Sequence, residues 1–280
     1  MRKQLRAAIA FTLASAMNAA MTACGGQQPT GLGVSKTSAT TTTVANREDN
    51  GNMTKATTIV LVHGAWADAS GWYDVTRILQ DAGYNVVAVQ NSLFSFAKDI
   101  ETTKRVIDAQ QGPLVVVGHS YGGAVMTAAA SGNANVTALV YVAAFAPDAG
   151  EPIGALLQKY PDLGLGSALR PDAAGFLYID PAKYGEVFAN GLPDKQARAF
   201  AIAQKPIAGS ALGEPLATAP AWKSVPSWFV VATEDHAINP ELERFMAKRM
   251  NAQVTEVRAG HLVFISRAPD VAHVIETAAK

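Results

Sequence analysis

The chain has 280 residues, 49% hydrophobic and 16% charged, which is enough apolar material for a large core. Lys plus Arg and Asp plus Glu balance at 23 each, and this excludes both the basic field of a nucleic-acid binder and an acidic tail for a cationic partner. The partner class left is a small, neutral or weakly charged molecule.

The N-terminus reads as an address. Arg2, Lys3 and Arg6 form a basic region, residues 7–21 form an apolar stretch short for a bilayer span, and small residues follow. The only cysteine, Cys24, comes after Met21-Thr22-Ala23. This segment resembles the lipobox of bacterial lipoproteins, with Met for the usual Leu, and the resemblance implies a lipidated Cys24 as the mature N-terminus. The alternative is a plain secretory peptide with an incidental cysteine, although a free thiol is unusual in an oxidising compartment. Either reading predicts export. The first adds membrane attachment in the bacterial cell envelope, through that anchor alone. Residues 25–56, rich in Gly, Gln, Ser and Thr, have no apolar period and predict a disordered linker.

From residue 57 onward, apolar runs at 59–62, 86–89, 114–117, 138–143, 228–231 and 254–257 predict strands buried on both faces of a mainly parallel sheet. Helical patterns lie between most of them. The pattern at 72–82 ends at Gly83, that at 100–110 is amphipathic and ends near Gly112, and that at 241–250 follows Pro240. The alternation predicts one doubly wound α/β domain over 57–280. From Asp148 to about Lys223 it breaks down among prolines, glycines and short apolar clusters. That stretch predicts a small, mostly helical cap inserted between two strands, above the strand ends where a ligand crevice lies.

The run at 114–117 leads into Gly118-His119-Ser120-Tyr121-Gly122, and a helix-forming stretch follows at 124–130. A serine at the tip of a sharp strand-to-helix turn has its Oγ exposed above the sheet. Such a turn demands small residues two before and two after it, here Gly118 and Gly122. Ser120 is thus the candidate nucleophile. It needs a base, and the base needs an orienting carboxylate. His63 lies at the mouth of the first strand, where its expected job is to shape the loop. His119 neighbours the serine and should point away from the substrate side, His236 should face solvent, and His273 lies on the last helical segment. His261 remains, placed after the final strand and Gly260, whose turn swings the imidazole toward Ser120. Asp235, just past the run 228–231, gives the order Ser, Asp, His. Asp148, one strand earlier, is the rival acid. Backbone N–H groups of Tyr121 and of Ala65, in the loop after the first strand, are the expected oxyanion donors.

His63-Gly64-Ala65-Trp66, Gly71-Trp72-Tyr73, Gly118-His119-Ser120-Tyr121-Gly122-Gly123, Phe145-Ala146-Pro147-Asp148, Thr233-Glu234-Asp235 and Gly260-His261 occur in this order along 57–280. Together they resemble the α/β-hydrolase family, in the branch of plant methylesterases, salicylate-binding esterases, hydroxynitrile lyases and bacterial esterases. The resemblance implies Ser120, Asp235 and His261 as triad, and Ala65 and Tyr121 as oxyanion donors. It also implies hydrolysis of a small hydrophobic carboxyl ester through an acyl-enzyme. No metal or cofactor is called for. The lyases of the branch carry a threonine where Gly64 stands and a lysine where Leu262 stands, so lyase chemistry is disfavoured. Dehalogenases and epoxide hydrolases of the fold use an aspartate where this chain has Ser120. Trp66, Phe145 and Leu262 are expected in the substrate pocket; Trp72 fits pocket or core. A C–C bond hydrolase or lactonase with the same triad, or a hydrolase-fold ligand-binding protein, are the alternatives.

Overall fold

The computed structural model describes residues 57–280. The expected N-terminal address with Cys24 and the expected linker lie outside the described residues. Among the described residues the strands are β1 (Thr58–Val62), β2 (Asn85–Val89), β3 (Leu114–Ser120), β4 (Val136–Ala144), β5 (Leu169–Pro171), β6 (Phe176–Ile179), β7 (Ile207–Ala208), β8 (Ser227–Ala232) and β9 (Gln253–Val257). Six of them form the main sheet in the order β2-β1-β3-β4-β8-β9, with every neighbouring pair parallel. All six apolar runs predicted as strands lie in this sheet.

Burial follows position in the sheet. Every residue of the central β1 and β3 is buried, whereas the edge strands β2 and β9 are largely exposed or half-buried. A parallel sheet covered on both faces needs continuous apolar strands only in its interior. The covering helices are α1 (Tyr73–Asp81, after a 3₁₀ turn at Ala69–Trp72), α2 (Phe96–Asp108), α3 (Tyr121–Ala129), α9 (Pro240–Arg249), α10 (Val263–Ser266) and α11 (Ala268–Ala278), and the helices between α3 and α9 belong to the insertion. α1 packs with α10 and α11, and α2 packs with α3. No helix of the described residues is long and apolar enough to cross a membrane.

The chain steps from β1 outward to β2, then returns past β1 to β3 and continues the other way. Between β1 and β3 the strand order reverses, and a crevice opens there at the carboxyl ends of the strands.

α2 starts at Phe96, earlier than its apolar period suggests, because its first N–H groups find partners. The Ser95 hydroxyl accepts from Lys98 N (3.2 Å), and the Glu214 carboxylate, far along the chain, accepts from Phe96 N and Ala97 N (3.2 and 3.1 Å). Glu214 belongs to the insertion between β4 and β8, which carries α4 (Ile153–Leu157), α5 (Leu165–Ala168), α6 (Pro181–Val187), α7 (Asp194–Ala203) and α8 (Gly209–Gly213). It also carries an antiparallel sheet, β5-β6-β7, which the helical reading of the cap did not include. Its strands are two to four residues long, too short to show a period of two.

Of the three histidines buried among the described residues, two brace this core. His119 is sealed against Trp72 and Phe264, and its Nε2–H donates to the His261 carbonyl (3.0 Å). His63 donates from Nδ1 to the Gly64 carbonyl (2.8 Å) and accepts at Nε2 from Asn91 N (3.0 Å), tying the loop after β1 to the loop after β2. Burial holds both imidazoles below 6.5, His119 well below. Both are neutral in the folded chain, while the unfolded chain takes up their protons below that value. Stability is therefore full above about pH 6.5 and falls on acidification, by up to about 1.4 kcal/mol per pH unit for each histidine. Thermal melts from pH 7.5 to 5.0 should show His119→Gln losing stability less steeply than wild type; equal slopes would mean that His119 takes up its proton in the folded state.

Candidate active site

β3 runs into α3 with no intervening residue. The hinge is Ser120, held at φ 53° and ψ −125°, a conformation that costs a non-glycine residue on the order of 1–3 kcal/mol. The close approach of α3 to the sheet maintains it. A Cβ on Gly122 would stand 2.5 Å from the carbonyl oxygens of Val62 and His63, and one on Gly118 would stand 2.7 Å from the backbone of Gly122 and Gly123. The Ser120 carbonyl accepts from Phe145 N (3.1 Å), which joins the hinge to the end of β4. Because the atoms facing Gly122 are backbone, the helix must shift to admit a methyl group. Gly122→Ala should therefore cost about 1–3 kcal/mol of stability in denaturant melts, and an unchanged midpoint would show that α3 has slack here.

Asp235 follows β8, in the loop leading to α9. Its Oδ1 accepts from Ala237 N (2.6 Å) and Ile238 N (2.9 Å), and its Oδ2 accepts from His261 Nδ1 (2.6 Å). Both side chains of that pair are sealed from solvent. With Nδ1 as donor, Nε2 of His261 carries the lone pair; it is buried and has no hydrogen-bond partner among the described residues. The ring sits between His119 and Phe188, at centroid distances of 4.6 and 4.8 Å. Asp148, the rival acid, is engaged elsewhere, with Lys223 Nζ at 2.5 Å and Ala149 N at 2.7 Å. Gly260 serves differently from its expected role as a swivel, since it is not among the residues with positive φ. A Cβ there would collide with the Asn190 carbonyl oxygen, so glycine lets the insertion close onto the histidine turn.

A narrow cleft at the crevice brings Ser120, His261, Ala65 and Tyr121 together with Trp66 and Phe145. Leu157, Leu165 and Leu212 of the insertion roof it. These three, with Trp66 and Ala237, also line an adjoining, roomier chamber. Leu262, expected here, instead lines a separate cleft beyond Trp66, because it opens the short turn that leads away into α10. Trp72 is core, packed on Phe264 at 4.4 Å. His236 and His273 are exposed.

Tyr121 is the first residue of α3, so its N–H has no acceptor within the helix. Its hydroxyl donates to Asp99 Oδ2 (2.9 Å), and burial with the nearby carboxylate pushes the phenol pKa well up. Asp99 Oδ1 accepts from Ser92 N, Ser92 Oγ and Leu93 N at 2.9 to 3.1 Å. This carboxylate fixes the loop after β2 and the start of α3 at once. The sequence reading passed over it. A signal existed: Phe96, Asp99, Thr103 and Ile107 form the buried stripe of α2, and an acid on such a stripe needs partners. Among the described residues no group of three His, Cys, Asp or Glu side chains is placed to hold a metal ion.

Comparison with known proteins agrees with this architecture. A carbendazim hydrolyzing esterase of Nocardioides is 35% identical over 113 residues, 36% of this chain and 47% of that protein. The chain thus spans under half the length of that relative. Methylesterase 8 of Arabidopsis thaliana is 26% identical over 67% of this chain and 75% of its own. An Arabidopsis alpha-hydroxynitrile lyase is 26% identical over 74% and 91%. The crystal structure of polyneuridine aldehyde esterase superposes with a TM-score of 0.70 at 18% identity, covering 81% of this chain and all of that one. A pyrethroid hydrolase from Sphingobium faniae gives 0.67 at 20%, over 80% and 97%. These two likenesses speak for the fold. The alpha/beta hydrolase family model matches residues 59–274, and the chain belongs to that family.

Proposed function

We propose that this chain is a serine esterase that cleaves a small hydrophobic carboxyl ester through an acyl-enzyme. One observation carries the reading: His261 is fixed by a buried Asp235 at Nδ1 and lines, with Ser120, a single cleft in which its Nε2 lone pair is unengaged. In a serine hydrolase that lone pair takes the hydroxyl proton as Oγ attacks. Catalytic hydrogen bonds of this kind tighten only once substrate is bound.

The steps then follow from position. Ser120 Oγ attacks the ester carbonyl and His261 takes its proton. The N–H groups of Ala65 and Tyr121 receive the oxyanion, and His261 returns the proton to the departing alcohol. Water, activated by the same imidazole, releases the acid. Asp235 keeps the ring in its Nδ1–H tautomer and balances the imidazolium. The names of the Nocardioides esterase and the Arabidopsis methylesterase support ester cleavage. Gly64 supports hydrolysis over the lyase activity named for another relative: a Cβ there would stand 2.8 Å from Ser120 Cβ, which leaves no room for a threonine.

A continuous-turnover assay on chromogenic short-chain esters tests the reading. Wild type should show a burst followed by steady turnover, and Ser120→Ala should be folded and inactive. Asp235→Asn should lose about 10⁴ in kcat, while Asp148→Asn should lose little. Turnover by Ser120→Ala near the wild-type rate would remove the serine from the mechanism, and a single turnover by wild type would make the chain a binder. The apolar junction between cleft and chamber supports a position for the larger ester group under the cap. Leu212→Trp, which fills that junction, should lower kcat/KM for an octanoate ester at least about tenfold more than for an acetate; an equal loss for both would place the long chain elsewhere.

A further inference from the structure

Glu243, on the first turn of α9, is wholly buried and has no part in the steps above. Its Oε2 accepts from Ala232 N (3.1 Å), the last residue of β8. Its Oε1 is buried with no donor among the described residues. Asp235 is tied to the same residue: its N–H donates to the Ala232 carbonyl (3.2 Å), so two wholly buried acids meet at the end of β8. Among the described residues no buried cation compensates the pair. Arg244, the next residue on α9, turns its guanidinium outward to Glu241 and Glu256, at 2.6 and 2.7 Å. His261 is already committed to Asp235 Oδ2.

Two carboxylates held at one residue and cut off from water do not both stay ionised, because the cost of desolvating each charge adds to their repulsion. One must hold a proton. Asp235 has three N–H donors aimed at it, all of which favour its charged form, whereas Glu243 has one. We propose that Glu243 is a positioning residue for the ester hydrolysis above: a neutral acid that donates a hydrogen bond from Oε1 to the Asp235 carboxylate and so fixes the group that fixes His261. The arrangement explains the orphaned oxygen. A hydroxyl at Oε1 is a donor facing an acceptor, while a carboxylate there would be an acceptor facing an acceptor. Burial and the Asp235 charge both push the Glu243 carboxyl well above its ordinary range, in agreement.

The catalytic part rests on the proposed function; the protonation does not, and the experiment separates them. Glu243→Gln keeps the shape, the acceptor for Ala232 N and a donor for Asp235. Glu243→Leu keeps the volume and removes both. The infrared difference spectrum at pH 7, wild type minus Glu243→Gln, should contain a protonated-carboxyl band. In melts from pH 5 to 9, wild type should lose stability relative to Glu243→Gln as pH rises. The native acid holds a proton that the unfolded chain, with an ordinary value of 4.5, has released, so its stabilisation is full below 4.5 and is lost upward. In catalysis Glu243→Gln should keep kcat within about twofold and leave the acidic limb of the kcat/KM profile within about 0.3 pH unit of wild type, since it changes no charge next to His261. Glu243→Leu should lower kcat on the order of tenfold or more with KM little changed, and should move the His261 Nδ1 proton resonance. Absence of the carboxyl band, or an acidic limb displaced downward by about a unit in Glu243→Gln, would show an ionised glutamate and overturn the protonation. A Glu243→Leu protein with wild-type kcat and resonance would overturn the positioning role. An enzyme without esterase activity would end the catalytic reading alone, leaving spectrum and melts to decide the proton.

Discussion

A carboxylate with no water around it must be surrounded by donors, and much of this site's geometry follows from placing Asp235 in that position. The effective penalty for burying such an ion is several kcal/mol, and it is offset only by partners of good geometry. Asp235 has them from separate parts of the chain: two N–H groups of its own loop and the imidazole of the turn after β9. The register of β8 against β9, paired from Trp228 with Gln253 to Ala232 with Val257, brings the two loops side by side. A carboxylate so supplied accepts a hydrogen bond from His261 that fixes both tautomer and ring plane.

The insertion takes part in this arrangement and is not a detachable lid. Asn190 fills the space left by the missing side chain of Gly260 and donates to the Glu234 carbonyl (2.6 Å), so it bears on the loops of both acid and base. Trp66 Nε1 donates to the Leu177 carbonyl (2.8 Å), which ties the residue after Ala65 to β6. Glu214 caps α2, the helix that carries Asp99 and thereby holds Tyr121. Each of these contacts joins the cap to a residue that itself touches a candidate catalytic group. Movement of the cap as one body would break several hydrogen bonds at once, so entry through local motion of the apolar roof is cheaper than a hinge.

The sequence displayed those features that depend on residues close in the chain. The strands appear as apolar runs because both faces of a parallel sheet are covered. The turn at Ser120 appears because its glycines lie within three residues of it, and the family resemblance rests on motifs of the same local kind. Features that depend on contacts across the fold stayed hidden. Glu214 caps a helix more than a hundred residues away, and nothing near Phe96 announces it. β5, β6 and β7 are too short to carry a pattern. Gly260 looked like a hinge, yet its reason is Asn190, 70 positions upstream. The choice between Asp235 and Asp148 turned on the same kind of fact. Both follow a strand, and only the packing shows one facing His261 and the other facing Lys223.

The division of labour between sheet and insertion has a chemical consequence. Ser120, Ala65, Tyr121, Asp235 and His261 all sit at or just beyond the carboxyl ends of strands, where ladder hydrogen bonds fix the backbone at their roots. The apolar surfaces over the cleft, Leu157, Leu165 and Leu212, come from short helices of the insertion. Tight positioning matters most for the groups that meet developing charge, since a displacement of about one ångström there is costly, while an apolar wall tolerates adjustment. On the proposed function, replacing the roof changes which ester binds, and disturbing the strand ends changes whether any ester reacts. The strain at Ser120 belongs to the second kind: it is held by backbone packing of α3 against Val62 and His63.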